Sequence, residues 1–116
     1  MESYKNRPLE DRKNQSAKLM AENPMRNPII VTCTNGKLKL NKHEFLVPKQ
    51  LKVLHFMATL RRSMNLGPEN TIYLYVNNNM LRHDKLIGEV YEQYKDEDGF
   101  LYISLTDIPA LGGITV

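Results

Sequence analysis

Glu44-Phe45-Leu46-Val47-Pro48, with an amphipathic run from Val53 to Met64 directly behind it, is the stretch around which this chain is organised. Phe45, Leu46 and Val47 are consecutive apolar residues of types that suit an extended, pleated backbone. Pro48 lacks a backbone donor, so it ends a strand or sits at a sheet edge. Side chains alternate along a strand, so Leu46 points away from Phe45 and Val47 and both faces are apolar. One face rests on the strand's own core. The other needs a covering element or a partner.

Working outward, Val53, Phe56, Met57, Leu60 and Met64 recur at spacings of three and four, one apolar stripe along a helix that Gly67-Pro68 ends. Upstream, Pro28 introduces Ile29-Ile30-Val31-Thr32-Cys33-Thr34, a strand. Asn35-Gly36 suits a tight type I′ turn, and the alternation Lys37-Leu38-Lys39-Leu40 reads as a return leg running on towards Phe45–Val47. Downstream, Thr71 to Val76 alternates Ile72, Leu74 and Val76 against Tyr73 and Tyr75, a further strand, and Asn77-Asn78-Asn79 reads as a turn. Asp84 is the expected N-cap of a shorter helix carrying Ile87, Val90, Tyr91 and Tyr94. Asp96-Glu97-Asp98-Gly99 is a turn, and Phe100 to Leu105 a last strand. At the other end, Pro8 opens a polar helix that stops near Asn23-Pro24.

The chain of 116 residues, 41% hydrophobic and 25% charged, suits one soluble globular domain with a real core. No window reaches the length of a membrane span, and the polar start offers no signal-peptide core. Cys33 is the sole cysteine and lies in an apolar run, so it reads as a small buried hydrophobe in a reducing compartment. The net charge of +3 hides a dipole, because residues 28–68 carry seven basic and one acidic side chain, and residues 69–116 three basic and eight acidic. A basic face could meet acidic peptides, phospholipid or nucleic acid. Exposed aromatics interleaved with that charge are lacking, so nucleic acid is not an expected partner.

Catalytic chemistry is not expected. His43, His55 and His83 are scattered without partners at metal spacing. If Gly99 held the sixth place of a calcium loop, Tyr94 and Leu105 would have to be ligands, so that reading fails. There is no glycine-rich phosphate loop or nucleophile elbow. The order of elements (helical arm, two strands, long helix, strand, short helix, strand) is that of an α+β, ubiquitin-like β-grasp, a mixed four-stranded sheet over a central helix. The expected parts are an arm at 1–24, a core at 25–106 and a tail at 107–116.

Phe45-Leu46-Val47-Pro48, Thr71-Ile72-Tyr73-Leu74-Tyr75-Val76-Asn77-Asn78 and Tyr91-Glu92-Gln93-Tyr94-Lys95-Asp96-Glu97-Asp98-Gly99-Phe100-Leu101-Tyr102 together resemble the autophagy ubiquitin-like modifiers. This is the family of the GABA-A receptor-associated protein and the microtubule-associated light chain. The resemblance covers about residues 8–113, with a shorter loop after Cys33. It implies a binder of short motifs with an aromatic residue and, three places later, an aliphatic one, added as a strand to the sheet edge. Matching positions put Gln15, Leu19, Pro28, Ile30, Leu46 and Phe100 around the aromatic pocket, and Phe45, Val47, Pro48, Leu51 and Phe56 around the aliphatic one. Arg26, Lys42, Glu44 and Arg61 form a charged rim, and Leu74, Tyr75, Val76 and Asn77 a second binding face.

Several positions depart from the family pattern. Glu44 stands where a lysine is usual, Gln15 where a glutamate is usual, Thr59 where an aliphatic is usual, and Ser63 replaces a basic residue. These changes imply a weaker preference for acidic flanks. The resemblance also implies that a cysteine protease cuts after Gly112, with Gly113 as the competing position. Leu111 stands where an aromatic is more frequent, which bears on the efficiency of that cut. Activating and conjugating enzymes then carry the glycine carboxylate as a thioester to phosphatidylethanolamine, a covalent lipid rather than a cofactor. A glycine is needed because crowded catalytic centres and a narrow protease slot tolerate no side chain. Cargo receptors, autophagy proteins and tubulin are the implied partners, with a cytoplasmic pool and an autophagosome-bound one. A non-conjugated adaptor in trafficking or microtubule association is the alternative.

Overall fold

The computed structural model describes residues 4–34 and 38–108. A 3₁₀ turn, Tyr4–Asn6, leads into α1 (Leu9–Glu22), β1 (Arg26–Cys33), β2 (Glu44–Pro48), α2 (Val53–Ser63), β3 (Tyr73–Val76), β4 (Asn79–Met80), α3 (Ile87–Tyr94) and β5 (Leu101–Thr106). The sheet order is β2-β1-β5-β3-β4. β1 and β5 run parallel at its centre, with Ile29 opposite Leu101 and Val31 opposite Ile103, and the other pairs are antiparallel.

Alternation along β1 and β5 sorts the core. Ile29, Val31, Leu101, Ile103 and Leu105 face Val53, Phe56, Met57 and Leu60 of α2 and Ile87, Val90 and Tyr91 of α3, in one buried cluster. The residues between them on β1, Pro28 and Ile30, are buried outside that cluster, as is Phe100 at the foot of β5. The edge of Tyr4 packs on Phe100 with ring centroids 5.0 Å apart.

α1 has few apolar residues and docks by polar chemistry instead. Arg12 Nη1 donates to Asp98 Oδ2 at 2.7 Å, and Ser16, one helical turn on, donates its hydroxyl to the Asp98 carbonyl. Asp98 is fully buried as a side chain, and also accepts the backbone N–H of Phe100 at 2.8 Å and the Tyr102 hydroxyl. A Cβ on Gly99 would lie 2.3 Å from Ser16 Oγ, and Gly99 has φ +88°, so both the space and the backbone require glycine.

Three expectations are corrected. The sheet has five strands among the described residues, because Asn77 and Asn78 take φ of 50° and 67°, a type I′ geometry that folds β4 back on β3. Among the described residues the return leg is not a strand before Glu44: Leu38 to Leu40 have no strand assignment and Leu40 is buried in the core, while Val31 donates to the His43 carbonyl at 2.9 Å and β2 starts at Glu44. The Asn35-Gly36 turn lies outside the described residues. Nor does Asp84 cap α3. It pairs with Arg82 at 2.9 Å, and Glu89 reaches back to the N–H of Leu86, the residue at the cap.

The two helices on the core side exchange caps through their loops. Val53 and Leu54 donate to the Lys85 and His83 carbonyls at 2.8 and 3.0 Å. Ile87 and Gly88 donate to the Leu51 and Lys49 carbonyls at 2.8 and 3.0 Å. Each loop satisfies two of the orphan donors at the start of the other helix, and at α3 the Glu89 side chain also accepts the N–H of the cap residue Leu86.

Candidate functional site: the open edge of β2

β2 is an outer strand, paired with β1 on one side only. Its neighbours on the sheet place Leu46 opposite Pro28, and Glu44 opposite Ile30. Beside it lies a cavity of about 270 Å³ lined by Gln15 and Leu19 of α1, Arg26 of β1, Lys42, Glu44, Phe45 and Leu46 at the start of β2, and Phe100. Four residues expected at the aromatic pocket (Gln15, Leu19, Leu46 and Phe100) are thus brought together. They come from three separate stretches, and the polar docking of α1 on Asp98 is what positions the first two.

Pro28 and Ile30 do not line the cavity. They are buried in β1, Ile30 at 3% exposure, and stand outside the core cluster formed with α2 and α3. Of the expected rim, Arg26, Lys42 and Glu44 line the cavity, whereas Arg61 sits on the last turn of α2 and does not. Arg26 donates to the Leu46 carbonyl at 3.3 Å. The Lys42 ammonium lies 5.0 Å from the centroid of the Phe45 ring.

On the other face of β2, Val47 and Phe56 are core residues at 3% and 1% exposure. Phe45 and Leu51 are half-buried against them, Phe45 meeting the Phe56 ring edge-on at 5.6 Å, and Pro48 is exposed. An aliphatic group here would meet a hydrophobic floor. Phe45 has a double position, since it also lines the cavity of the opposite face.

The second face is corrected. Leu74 and Val76 point into the core at 2% and 3% exposure and Tyr75 is 6% exposed, which leaves Asn77 as the exposed member of the four. Gly112 and Gly113 lie outside the described residues.

The residues that sequence reasoning missed are those of the Asp98 hub. Arg12 and Asp98 are separated by 86 positions, beyond any local period. The readable trace was the placing of Arg12 and Ser16 four apart on one helical face. Around the hub, burial and then the Asp98 carboxylate push the Tyr102 phenol well above its ordinary value. Asp96, at the edge, is raised by burial but more strongly lowered by the Asp98 backbone N–H and by Lys5, whose ammonium is 3.1 Å away. No group of His, Cys, Asp and Glu among the described residues could hold a metal ion, and no described helix is long and apolar enough to cross a membrane.

A mixed sheet over α2, an added α1 and an open β2 beside a cavity define a ubiquitin-like β-grasp protein with an N-terminal helix. The family model described as autophagy protein Atg8, ubiquitin-like, matches residues 11–112. Autophagy-related protein 8a of Arabidopsis thaliana is 34% identical over 111 residues, 94% of this chain and 91% of that protein. Autophagy-related protein 8D of Oryza sativa subsp. japonica is 36% identical over 107 residues, covering 90% and 91% of the two chains. Among solved structures, Trypanosoma brucei ATG8 superposes with a TM-score of 0.84 at 33% identity, over 91% of this chain and 95% of that one. Plasmodium falciparum Atg8, solved in complex with a Plasmodium falciparum Atg3 peptide, gives a TM-score of 0.85 at 33% identity, over 96% and 100%. The chain belongs to the Atg8 family of autophagy ubiquitin-like proteins.

Proposed function

We propose that this protein is a ubiquitin-like modifier joined through Gly112 to phosphatidylethanolamine, and that it recruits autophagy partners by adding their aromatic-x-x-aliphatic motifs as a strand to β2. The observation that carries this reading is the unpaired edge of β2 with a cavity on one face and a hydrophobic floor on the other. In an extended peptide, residues three apart point to opposite faces. An aromatic anchor entering the cavity beside Leu46 therefore sends its aliphatic companion to the face of Phe45, Val47, Leu51 and Phe56. Because the cavity lies at the Glu44–Leu46 end and the floor runs on to Leu51, the peptide follows β2 in parallel. Each buried anchor contributes roughly 1.5–3 kcal/mol before the cost of ordering the peptide.

The chain is the substrate of its pathway and not an enzyme. A cysteine protease exposes the glycine, and activating and conjugating enzymes transfer it. The peptide bound by the Plasmodium relative supports a conjugating-enzyme segment as one partner of this chain too. The lipid anchors the processed form on autophagosome membranes, and the unprocessed form stays cytoplasmic.

Intact mass after incubation with an extract containing the family's cysteine protease tests the conjugation reading. Loss of the last four residues is expected, and Gly112→Ala should abolish it. Loss of three residues moves the site to Gly113. An uncut chain that still binds an aromatic-x-x-aliphatic peptide would identify a non-conjugated adaptor instead.

A further inference from the structure

Resting on the motif-binding reading above, we infer that this protein selects peptides whose charges are ordered along the groove: a cationic residue two places before the aromatic anchor and an acidic residue two places after it.

The order follows from where the charged groups stand. Glu44 and Leu46 share one face of β2, two residues apart, so the carboxylate and the aromatic cavity are on the same side. Glu44 is exposed and lines that cavity, and no hydrogen bond or ion pair engages its carboxylate among the described residues. Its neighbours do not neutralise it. Lys42 lines the same cavity, but its ammonium lies 5.0 Å from the centroid of the Phe45 ring and forms no ion pair with Glu44 among the described residues. Arg26 is set across from Pro48, four residues further along β2, and its guanidinium turns to the Leu46 carbonyl. The groove thus presents a free carboxylate at its upstream end and a guanidinium downstream.

An added parallel strand meets this pattern with a period of two. The aromatic residue faces the cavity, so the side chains two before and two after it share that face, the first abreast of Glu44 and the second abreast of Pro48, the sheet neighbour of Arg26. A lysine or arginine at the first place meets Glu44. An aspartate or glutamate at the second meets Arg26, and the aliphatic anchor follows directly. The reverse order sets like charges together at both places, which suppresses wrong partners more than it strengthens right ones.

Two peptides of identical composition isolate the effect, because overall charge cancels: Lys-Ala-Trp-Ala-Asp-Leu and Asp-Ala-Trp-Ala-Lys-Leu, each blocked at both ends. Fluorescence titration of the full chain should give the first the lower Kd. Each exposed pair is expected to contribute about two- to fivefold, so the ratio between the peptides is about tenfold, shrinking at high salt. Glu44→Gln should reduce the ratio to that of the Arg26 pair alone, and Glu44→Lys with Arg26→Glu should invert the preference. Glu44 and Arg26 are exposed, and unchanged circular dichroism of each variant checks the fold. Equal affinities, a preference for the second peptide, or a preference for the first that Glu44→Gln leaves in full would overturn the charge order while motif binding stands. Binding of neither peptide overturns the motif-binding reading itself and this inference with it.

Discussion

Asp98 shows what one buried carboxylate can organise. It holds the 96–99 turn through the Phe100 N–H, ties β5 through Tyr102 and clamps α1 through Arg12, all with no exposure of its own side chain. Removing one partner of such a group leaves the others buried and unpaired. Asp98→Ala is therefore expected to cost about 3–5 kcal/mol in urea denaturation and to raise amide exchange along α1. Lys95 and Glu92 also form an ion pair, at 3.3 Å, but with side chains 48% and 69% exposed. Lys95→Ala should cost about 0–1 kcal/mol, a control for the general effect of losing an ion pair. The Asp96-Glu97-Asp98-Gly99 stretch reads locally as a polar turn because turn composition and a buried anchor use the same residues. Only the partners distinguish them, and these lie far off in the chain.

At the scale of elements, the apolar periodicity made β1, α2 and the β5 region legible: Val53, Phe56, Met57 and Leu60 are the buried stripe of α2. Elements held by exchange were less so. The caps of α2 and α3 come from each other's loops, a contact that no residue at the helix start announces. α1 is the instructive case. Its sequence describes a polar arm, yet it supplies Gln15 and Leu19 to the cavity wall and packs Met20 on the core. Leu19 is half-buried, so Leu19→Ala should leave the fold intact and weaken an aromatic-x-x-aliphatic peptide roughly tenfold, measured by fluorescence titration. An unchanged Kd would remove α1 from the peptide site.

Across the whole molecule, α1 and β5 are joined by a hub whose phenol is held in its protonated form. Burial, followed by the Asp98 carboxylate, raises the Tyr102 value, and burial raises Tyr91 and Tyr4 as well. The folded state then keeps protons that the unfolded chain releases near about pH 10. This contribution is fully present below that pH and is lost as pH rises above it. Urea midpoints taken from about pH 8 to 11 should fall, and Tyr102→Phe should flatten the fall. A slope unaltered by that substitution would assign the alkaline sensitivity to other groups.

The sequence by itself determined the elements with clear periods, the two-faced character of Phe45-Leu46-Val47 and membership of the autophagy ubiquitin-like family, because each is written in neighbouring residues. Tertiary structure alone decided that the sheet gains a fifth strand, that Tyr75 is buried along with Leu74 and Val76, and that Pro28 and Ile30 do not line the cavity while Phe45 does. It also set a free carboxylate at one end of the groove and a guanidinium at the other. The physical reason is the range of the contacts. A period of two or 3.6 fixes which side of an element a residue takes, whereas a cavity wall or a buried ion pair depends on which distant side chain arrives opposite it.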